Sequence, residues 1–286
     1  MRFLPIPNRP QQLRSMHNEN DLHGLAAQIV QAQDSNSQLS TFSSSGRELT
    51  MHEAYEVSWL VHEERLKSGW KPVGRKIGFT NRDMWSLFGV TQPVWSFIYD
   101  RTYEKISSTY RCPLLDLVQP KIEPEIVFCM RAAPSVGASE EEVLECVEWI
   151  AHGIEMVQCH YPDWKFTSTD AVCDSSFHGK LFVGRKRPVR PDCPETGAML
   201  KACEVSLYRD GDLIEVGHGR NVLGSPLLAV TSLIEAIHRD GSVYPILPGE
   251  VITTGTITKA YSVNAREQWR TKFDQNRFPG LTIDFV

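Results

Sequence analysis

Lys121-Ile122-Glu123-Pro124-Glu125-Ile126-Val127-Phe128-Cys129-Met130 is an apolar run broken by two carboxylates. In a strand, residues two apart share a face, so Glu123 and Glu125 leave the backbone together while Ile122 and Ile126 point the other way. Two adjacent anions flanked by aliphatics need a cation. Burying an unpaired carboxylate costs on the order of several kcal/mol, which a shared proton, a basic side chain or a hard metal ion can offset. Magnesium or manganese suits oxygen ligands best. Taken alone, Glu-x-Glu also fits the solvent-facing side of an amphipathic strand, its commoner setting.

Outward from this run, short apolar stretches alternate with turns: Arg75 to Thr80, Ser96 to Tyr99, and the run itself. The spacing of Val143, Val147 and Ile150 after an acidic first turn predicts a helix from Ser139 to Ala151. Lys201 to Val216 reads as a hairpin turning at Asp210-Gly211, Pro226 to His238 as a helix, and Glu250 to Thr258 and Leu281 to Val286 as strands. Towards the N-terminus, Leu22, Leu25, Ala26, Ile29 and Val30 have helical spacing over residues 20 to 33. A second helix opens at Thr50 with Glu53 three residues on, a capping box, and stops near Gly69. The pattern predicts an α+β chain with a mixed, largely antiparallel sheet. Residues 1–19 read as an extended arm, 20–72 as a helical portion and 73–286 as a β-rich catalytic portion.

At 286 residues, 41% hydrophobic and 23% charged, the chain can bury a full core. A net charge of −5 lacks the basic footprint of nucleic-acid binding, and no run approaches the roughly 18 apolar residues of a membrane span, so neither partner is expected. Seven cysteines without a Cys-x-x-Cys pair argue against a disulfide framework and for a reducing cytoplasm. The proline-rich start is no secretory signal.

Gly153-Ile154-Glu155-Met156-Val157 is a further apolar stretch with a lone acid at its centre. Glu123, Glu125 and Glu155 together make a candidate three-ligand site for a hard divalent cation, with open positions for substrate oxygens and water.

The surrounding segments resemble the fumarylacetoacetate hydrolase superfamily, in its 2-keto-4-pentenoate hydratase and 4-oxalocrotonate decarboxylase branch. The resemblance runs from about Leu49 onward. It rests on Gly74 to Thr80, Gly89-Val90-Thr91-Gln92-Pro93, Ile122 to Ile126, Gly153-Ile154-Glu155 and Asp163-Trp164-Lys165, followed by Gly179 to Gly184, Leu223 to Pro226 and Pro248 to Thr256, in that order. Each piece is weak and the ordered set is strong.

The resemblance implies a β-roll of the fumarylacetoacetate hydrolase type, with Glu123, Glu125 and Glu155 as ligands of Mg2+ or Mn2+ and a pyruvoyl-type substrate chelating the ion. It further implies that Lys76 reaches the pocket, that Thr254 lies near the substrate carboxylate, and that Lys165 and Asp174 surround it. Phe177-His178 departs from the small residues the branch carries before the glycine that Gly179 matches. His178 is a candidate acid or base there, and Trp95 and Tyr99 either line the pocket or fill the core. The expected activity is metal-dependent hydration of a 2-hydroxydienoate to a 4-hydroxy-2-keto acid. Decarboxylation of a vinylogous 2-keto acid is the alternative, followed by an acylpyruvate hydrolase and a non-catalytic partner subunit. The superfamily's habit of assembly implies a homo-oligomer.

Overall fold

The computed structural model describes residues 19–190, 195–239 and 245–286. The arm expected over residues 1–19 lies, apart from Glu19, outside them.

Helix α1 (Glu19–Ser35) buries Leu22, Leu25, Ala26 and Ile29, the residues whose spacing predicts it, against α2 (Met51–Lys67). The capping box forms: Glu53 N donates to Thr50 Oγ1 at 3.2 Å and Thr50 N to Glu53 Oε2 at 2.9 Å. Five shorter or later helices follow: α3 (Trp85–Phe88), α4 (Glu140–Glu145), α5 (Ser168–Cys173), α6 (Glu195–Ala202) and α7 (Pro226–Arg239).

The strands are β1 (Pro72–Gly78), β2 (Val94–Tyr99), β3 (Tyr103–Lys105), β4 (Thr109–Cys112), β5 (Lys121–Met130), β6 (Val147–Val157) and β7 (His178–Val183). They continue as β8 (Arg187–Pro188), β9 (Glu204–Arg209), β10 (Asp212–His218), β11 (Val251–Thr253), β12 (Tyr261–Ser262), β13 (Gln268–Phe273) and β14 (Thr282–Phe285). The larger sheet runs β2-β1-β11-β5-β6-β7-β3, with β12 beside β5 and β8 beside β6; the smaller runs β10-β9-β13-β14-β4. Among the described residues only β1–β11, β3–β7 and β4–β14 pair in parallel, so the sheets are mixed and largely antiparallel, as the pattern predicts. The β9–β10 hairpin turns at Asp210-Gly211, with φ of 52° and 95°, the positive values a two-residue turn needs.

Two boundaries differ from expectation. The helix predicted over 139–151 ends at Glu145, and Val147 already opens β6. Every residue of β6 except Glu148 is buried, so the two-residue alternation that marks a one-sided strand is absent and the apolar spacing mimics a helix. Pairing along the whole length of β5 decides the conformation. The strand predicted over 250–258 ends at Thr253 because Gly255, at φ +89°, turns the chain.

The main core lies between the larger sheet and α7, whose Leu227, Val230, Leu233, Ile234 and Ile237 pack with Ile77, Ile126, Phe128 and Ile252. Each such side chain contributes about 1.5–3 kcal/mol by leaving water. The segment Gly219–Arg239 has the length and composition of a membrane span, which the sequence reading did not single out, but its apolar face is consumed by this core. Trp95 and Tyr99 belong to the core too: Trp95 stacks on Tyr55 at 5.7 Å, and Tyr99 Oη lies 2.8 Å from His62 Nδ1.

Candidate metal centre

The β5–β6 register sets Glu155 directly opposite Glu123 and Gly153 opposite Glu125. Directly opposed residues on an antiparallel ladder share a face with their Cβ atoms about 4.5–5.5 Å apart, so strand geometry alone makes the three carboxylates converge. One oxygen of each lies within 4.8 Å of the others. Glu125 and Glu155 are fully buried and Glu123 is half-buried.

Neighbouring strands furnish the surroundings. Beyond β11, in register with Thr253, Lys76 of β1 brings Nζ to 3.0 Å from Glu155 Oε2. From β7, His178 Nδ1 lies 2.7 Å from Glu155 Oε1, and its Nε2 lies 2.8 Å from Thr102 Oγ1. The Thr253 hydroxyl and Gly255 N, the latter at 2.9 Å, donate to Glu125 Oε2. Gly255 is required there: at φ +89° an added Cβ would also lie 1.9 Å from Thr80 Oγ1. Glu125 Oε1 is buried with no hydrogen-bond partner among the described residues, a state few folded chains retain without a ligand.

The charges do not balance. Burial, together with repulsion from Glu155 and Glu123, pushes the Glu125 carboxyl well above the usual carboxylate range. Glu123 is pushed up to about 7 by burial, with Lys76 and Lys121 opposing and Glu155 adding to the rise. Burial acts upward on Glu155 as well, but Lys76 and His178 outweigh it and hold that carboxyl below its ordinary value. On Lys76 burial acts downward, and the three carboxylates more than reverse it. Lys76 therefore faces all three carboxylates, with Lys121 adding to it at Glu123. An oxygen-only donor set, an orphaned buried oxygen and a deficit of positive charge are the features a hard divalent cation satisfies.

Other residues expected near the site stand apart from it. Lys165 has 81% of its side chain exposed and among the described residues its ammonium pairs with Asp163 alone, at 3.4 Å, because the loop carrying it turns Trp164 inward and the lysine outward. The Asp174 carboxylate is consumed by His160 Nδ1 at 2.8 Å, His160 N at 3.0 Å and Gln33 Nε2 at 3.1 Å, which ties α1 to the chain before β7. Asp170 is structural as well, capping α5 and accepting from Phe42 N and Ser43 Oγ. The Thr254 hydroxyl donates to Ile126 O at 3.0 Å; successive residues face opposite ways, so Thr253 and not Thr254 serves Glu125.

The sequence reading also missed Lys121, whose signal was its place two residues before Glu123. Its ammonium lies 4.0 Å from the Trp164 ring centroid. Asp163 and Trp164 both adopt left-handed backbone, at φ 57° and 55°, which aspartate tolerates and which costs tryptophan about 1–2 kcal/mol. Gln119 offsets this: its Nε2 donates to Cys159 O and Tyr161 O, its Oε1 accepts from Asp163 N, and its backbone O accepts from Trp164 Nε1. A groove of about 630 Å³ between α1 and α2, lined by Val30, Asp34, Leu60 and Glu64, includes none of the carboxylates.

No protein-family model matches the chain. It is 27% identical over 267 residues to 2-keto-4-pentenoate hydratase of Paraburkholderia xenovorans (strain LB400), spanning 90% of this chain and 96% of that one. It is 28% identical over 218 residues to 4-oxalocrotonate decarboxylase of Pseudomonas putida, spanning 76% of this chain and 79% of the relative. Among solved structures, 4-oxalocrotonate decarboxylase from Pseudomonas putida G7, complexed with magnesium and adipate, superposes with a TM-score of 0.86 at 24% identity, covering 96% of this chain and all of that one. Fumarylpyruvate hydrolase from Pseudomonas aeruginosa, in complex with Mn2+ and pyruvate, superposes with a TM-score of 0.53 at 15% identity over 74% of this chain and 88% of that one.

Proposed function

We propose that this chain, a homologue of the 2-keto-4-pentenoate hydratases and 4-oxalocrotonate decarboxylases with the fumarylacetoacetate hydrolase fold, is a metal-dependent lyase that hydrates 2-hydroxydienoates to 4-hydroxy-2-keto acids in the breakdown of aromatic compounds. The observation that carries this reading is Glu125, a fully buried carboxylate with an orphaned oxygen inside a cluster of three.

Glu123, Glu125 and Glu155 hold Mg2+ or Mn2+, the ions that an all-oxygen donor set suits. When bound, the ion supplies Lewis-acid polarisation of the substrate's 2-keto group and compensates the charge of the cluster. Lys76 spends one N–H on Glu155 at 3.0 Å; its others are available to hold the substrate carboxylate or to pass a proton to the carbon chain. His178 has both ring nitrogens engaged, by Glu155 and Thr102, so its part is to fix the orientation of Glu155. The Thr253–Gly255 turn does the same for Glu125. Lys165, Asp174 and the Thr254 hydroxyl take no part in this reading.

A second reading, decarboxylation of a vinylogous 2-keto dicarboxylate, uses the same ligands and lysine, and Lys121 favours it by adding a cation beside Glu123. We also place the chain in the cytoplasm as a homo-oligomer, with residues 20–72 packed on a catalytic portion over 73–286. Free thiols at all six described cysteines suit a reducing compartment.

The test is to follow 2-hydroxypenta-2,4-dienoate by loss of its dienol absorbance. Turnover should vanish on chelation and return with Mg2+ or Mn2+. A chelated protein that keeps its full rate refutes the metal site, and CO₂ release from 4-oxalocrotonate without water addition to the dienoate would select the second reading.

A further inference from the structure

We infer that His152 is a positioning residue for the ion site, holding the Glu125 backbone in place from the smaller sheet. This rests on the metal-site reading above. The ligand strand lacks a continuous neighbour where its ligands stand. On one side of β5, β12 pairs with residues 121 and 122 and β11 with residues 127–129, so Glu123-Pro124-Glu125-Ile126 spans the gap between two strands. There Pro124 O accepts from Ile257 N at 2.9 Å, and Ile126 O accepts from Thr254 N at 3.3 Å and Thr254 Oγ1 at 3.0 Å, while Pro124 has no N–H to give. On the other side the residue opposite Glu125 is Gly153, where an added Cβ would lie 2.5 Å from Val127 Cγ2. Next to it, on the face of β6 away from Glu155, His152 brings Nδ1 to 3.0 Å from Glu125 O.

The second ring nitrogen reaches out of the larger sheet. His152 Nε2 lies 2.8 Å from Thr271 Oγ1 of β13, and both residues are buried. The direction of this chain of bonds follows from its far end. Leu281 N donates to Thr271 Oγ1 at 2.9 Å, and Leu281 O already accepts from Thr271 N at 2.9 Å. The hydroxyl proton therefore goes to His152 Nε2, which is nearer than Leu281 O at 3.3 Å. Burial disfavours a charged imidazole. A neutral ring that accepts at Nε2 carries its one proton on Nδ1, the nitrogen aimed at Glu125 O. Phe273 of β13 packs edge-on against the ring, 4.8 Å between centroids and 68° between planes, which leaves it little room to turn. Both nitrogens are spent, so the ring acts through Glu125 and not on substrate. It fixes the peptide that follows Glu125, and with it the direction in which the carboxylate leaves the strand.

The experiment is titration of the metal-free protein with Mn2+, followed by calorimetry and by the electron paramagnetic resonance spectrum of the bound ion. His152→Asn carries an amide nitrogen where Nδ1 stands and His152→Gln carries one where Nε2 stands, so the two variants separate the bond to Glu125 from the bond to Thr271. His152→Asn should bind Mn2+ within about threefold of wild type and keep its spectrum, whereas His152→Gln should bind about tenfold or more weakly, as for loss of an outer-sphere partner, with the spectrum altered. Thr271→Val keeps the side chain's shape, removes the hydroxyl that sets the tautomer, and should weaken binding as well. Wild-type affinity in His152→Gln or in Thr271→Val overturns the inference. So does equal weakening in His152→Asn and His152→Gln, which would reduce the ring to core packing. Wild-type protein that binds no Mn2+ is a distinct result: the metal-site reading falls, and the inference with it.

Discussion

Replacing Glu125 by Gln separates a metal ligand from a structural carboxylate, because the two roles predict opposite signs in the metal-free protein. The amide oxygen can still accept from Thr253 and Gly255 N, and only the charge and the orphaned Oε1 are lost. Carboxylate oxygens within 4.8 Å of one another repel by about 3–4 kcal/mol per ionised pair at an effective dielectric of 20. Burial and that repulsion raise the Glu125 carboxyl, so the protein without metal already favours the protonated form that Gln imitates. Without metal, Glu125→Gln should therefore melt at or above the wild-type temperature. With metal the order reverses. At an ion concentration about 1,000-fold above the wild-type Kd, binding stabilises the fold by about 4.1 kcal/mol. Loss of an outer-sphere partner costs 10–100-fold in affinity, and loss of a ligand at least the upper end. A 100-fold weaker site then retains only about 1.4 kcal/mol of stabilisation. The missing stability, about 2.7 kcal/mol, corresponds to a Mn2+-induced Tm shift smaller by roughly 5–11 °C. Differential scanning fluorimetry with and without Mn2+ reads both arms. A full wild-type shift in the variant removes Glu125 from the ligand set, and a metal-free variant weakened by several kcal/mol makes it a structural anchor instead.

Lys76→Met leaves three carboxylates without their buried cation, and loss of one partner of a buried pair costs about 3–5 kcal/mol. Urea unfolding should show that loss without metal and a smaller one with Mn2+; equal losses would place Lys76 outside the ion's surroundings. Gly255→Ala strains the chain twice, through φ +89° and a Cβ 1.9 Å from Thr80 Oγ1, and should lower both stability and Mn2+ affinity. Wild-type affinity in that variant would detach the 253–255 turn from the ion site. His62, stacked on Phe97 at 3.9 Å, is lowered to about 3 by burial and by Arg75. The unfolded imidazole, titrating near 6.5, binds the proton more readily, so stability is full above pH 6.5 and falls towards pH 3, by roughly 2.7 kcal/mol at pH 4.5. His62→Gln should flatten this acid limb in pH-dependent melts, and an unchanged limb would assign it elsewhere.

Parity along one strand is a local property, which is why Glu123 and Glu125 could be read as a pair from ten residues of sequence. The same holds for the capping box at Thr50 and Glu53 and for the Asp210-Gly211 turn, each settled by neighbours within four positions. Register between strands is not local. Glu155 reaches the cluster only because β6 pairs with β5 at one offset out of many, and both faces of β6 are buried, so its sequence carries no alternation from which to read that offset. The 147–151 stretch, spaced like a helix, is the same failure seen from the other end. The ordered family segments supplied what parity could not, namely that Glu155 and Lys76 share a site. They said less about orientation, which for Thr253 against Thr254 is fixed by where β11 stops. Lys121 is the instructive case. Parity placed it on the ligand face as surely as it placed Glu123, yet a lysine at the open end of a strand has solvent as its ordinary fate. What distinguishes it is the Trp164 ring, set by left-handed backbone at Asp163 and Trp164 and by Gln119 more than forty positions away. Trp164 has no local preference for that backbone, so the contact that sets its ring over Lys121 is tertiary.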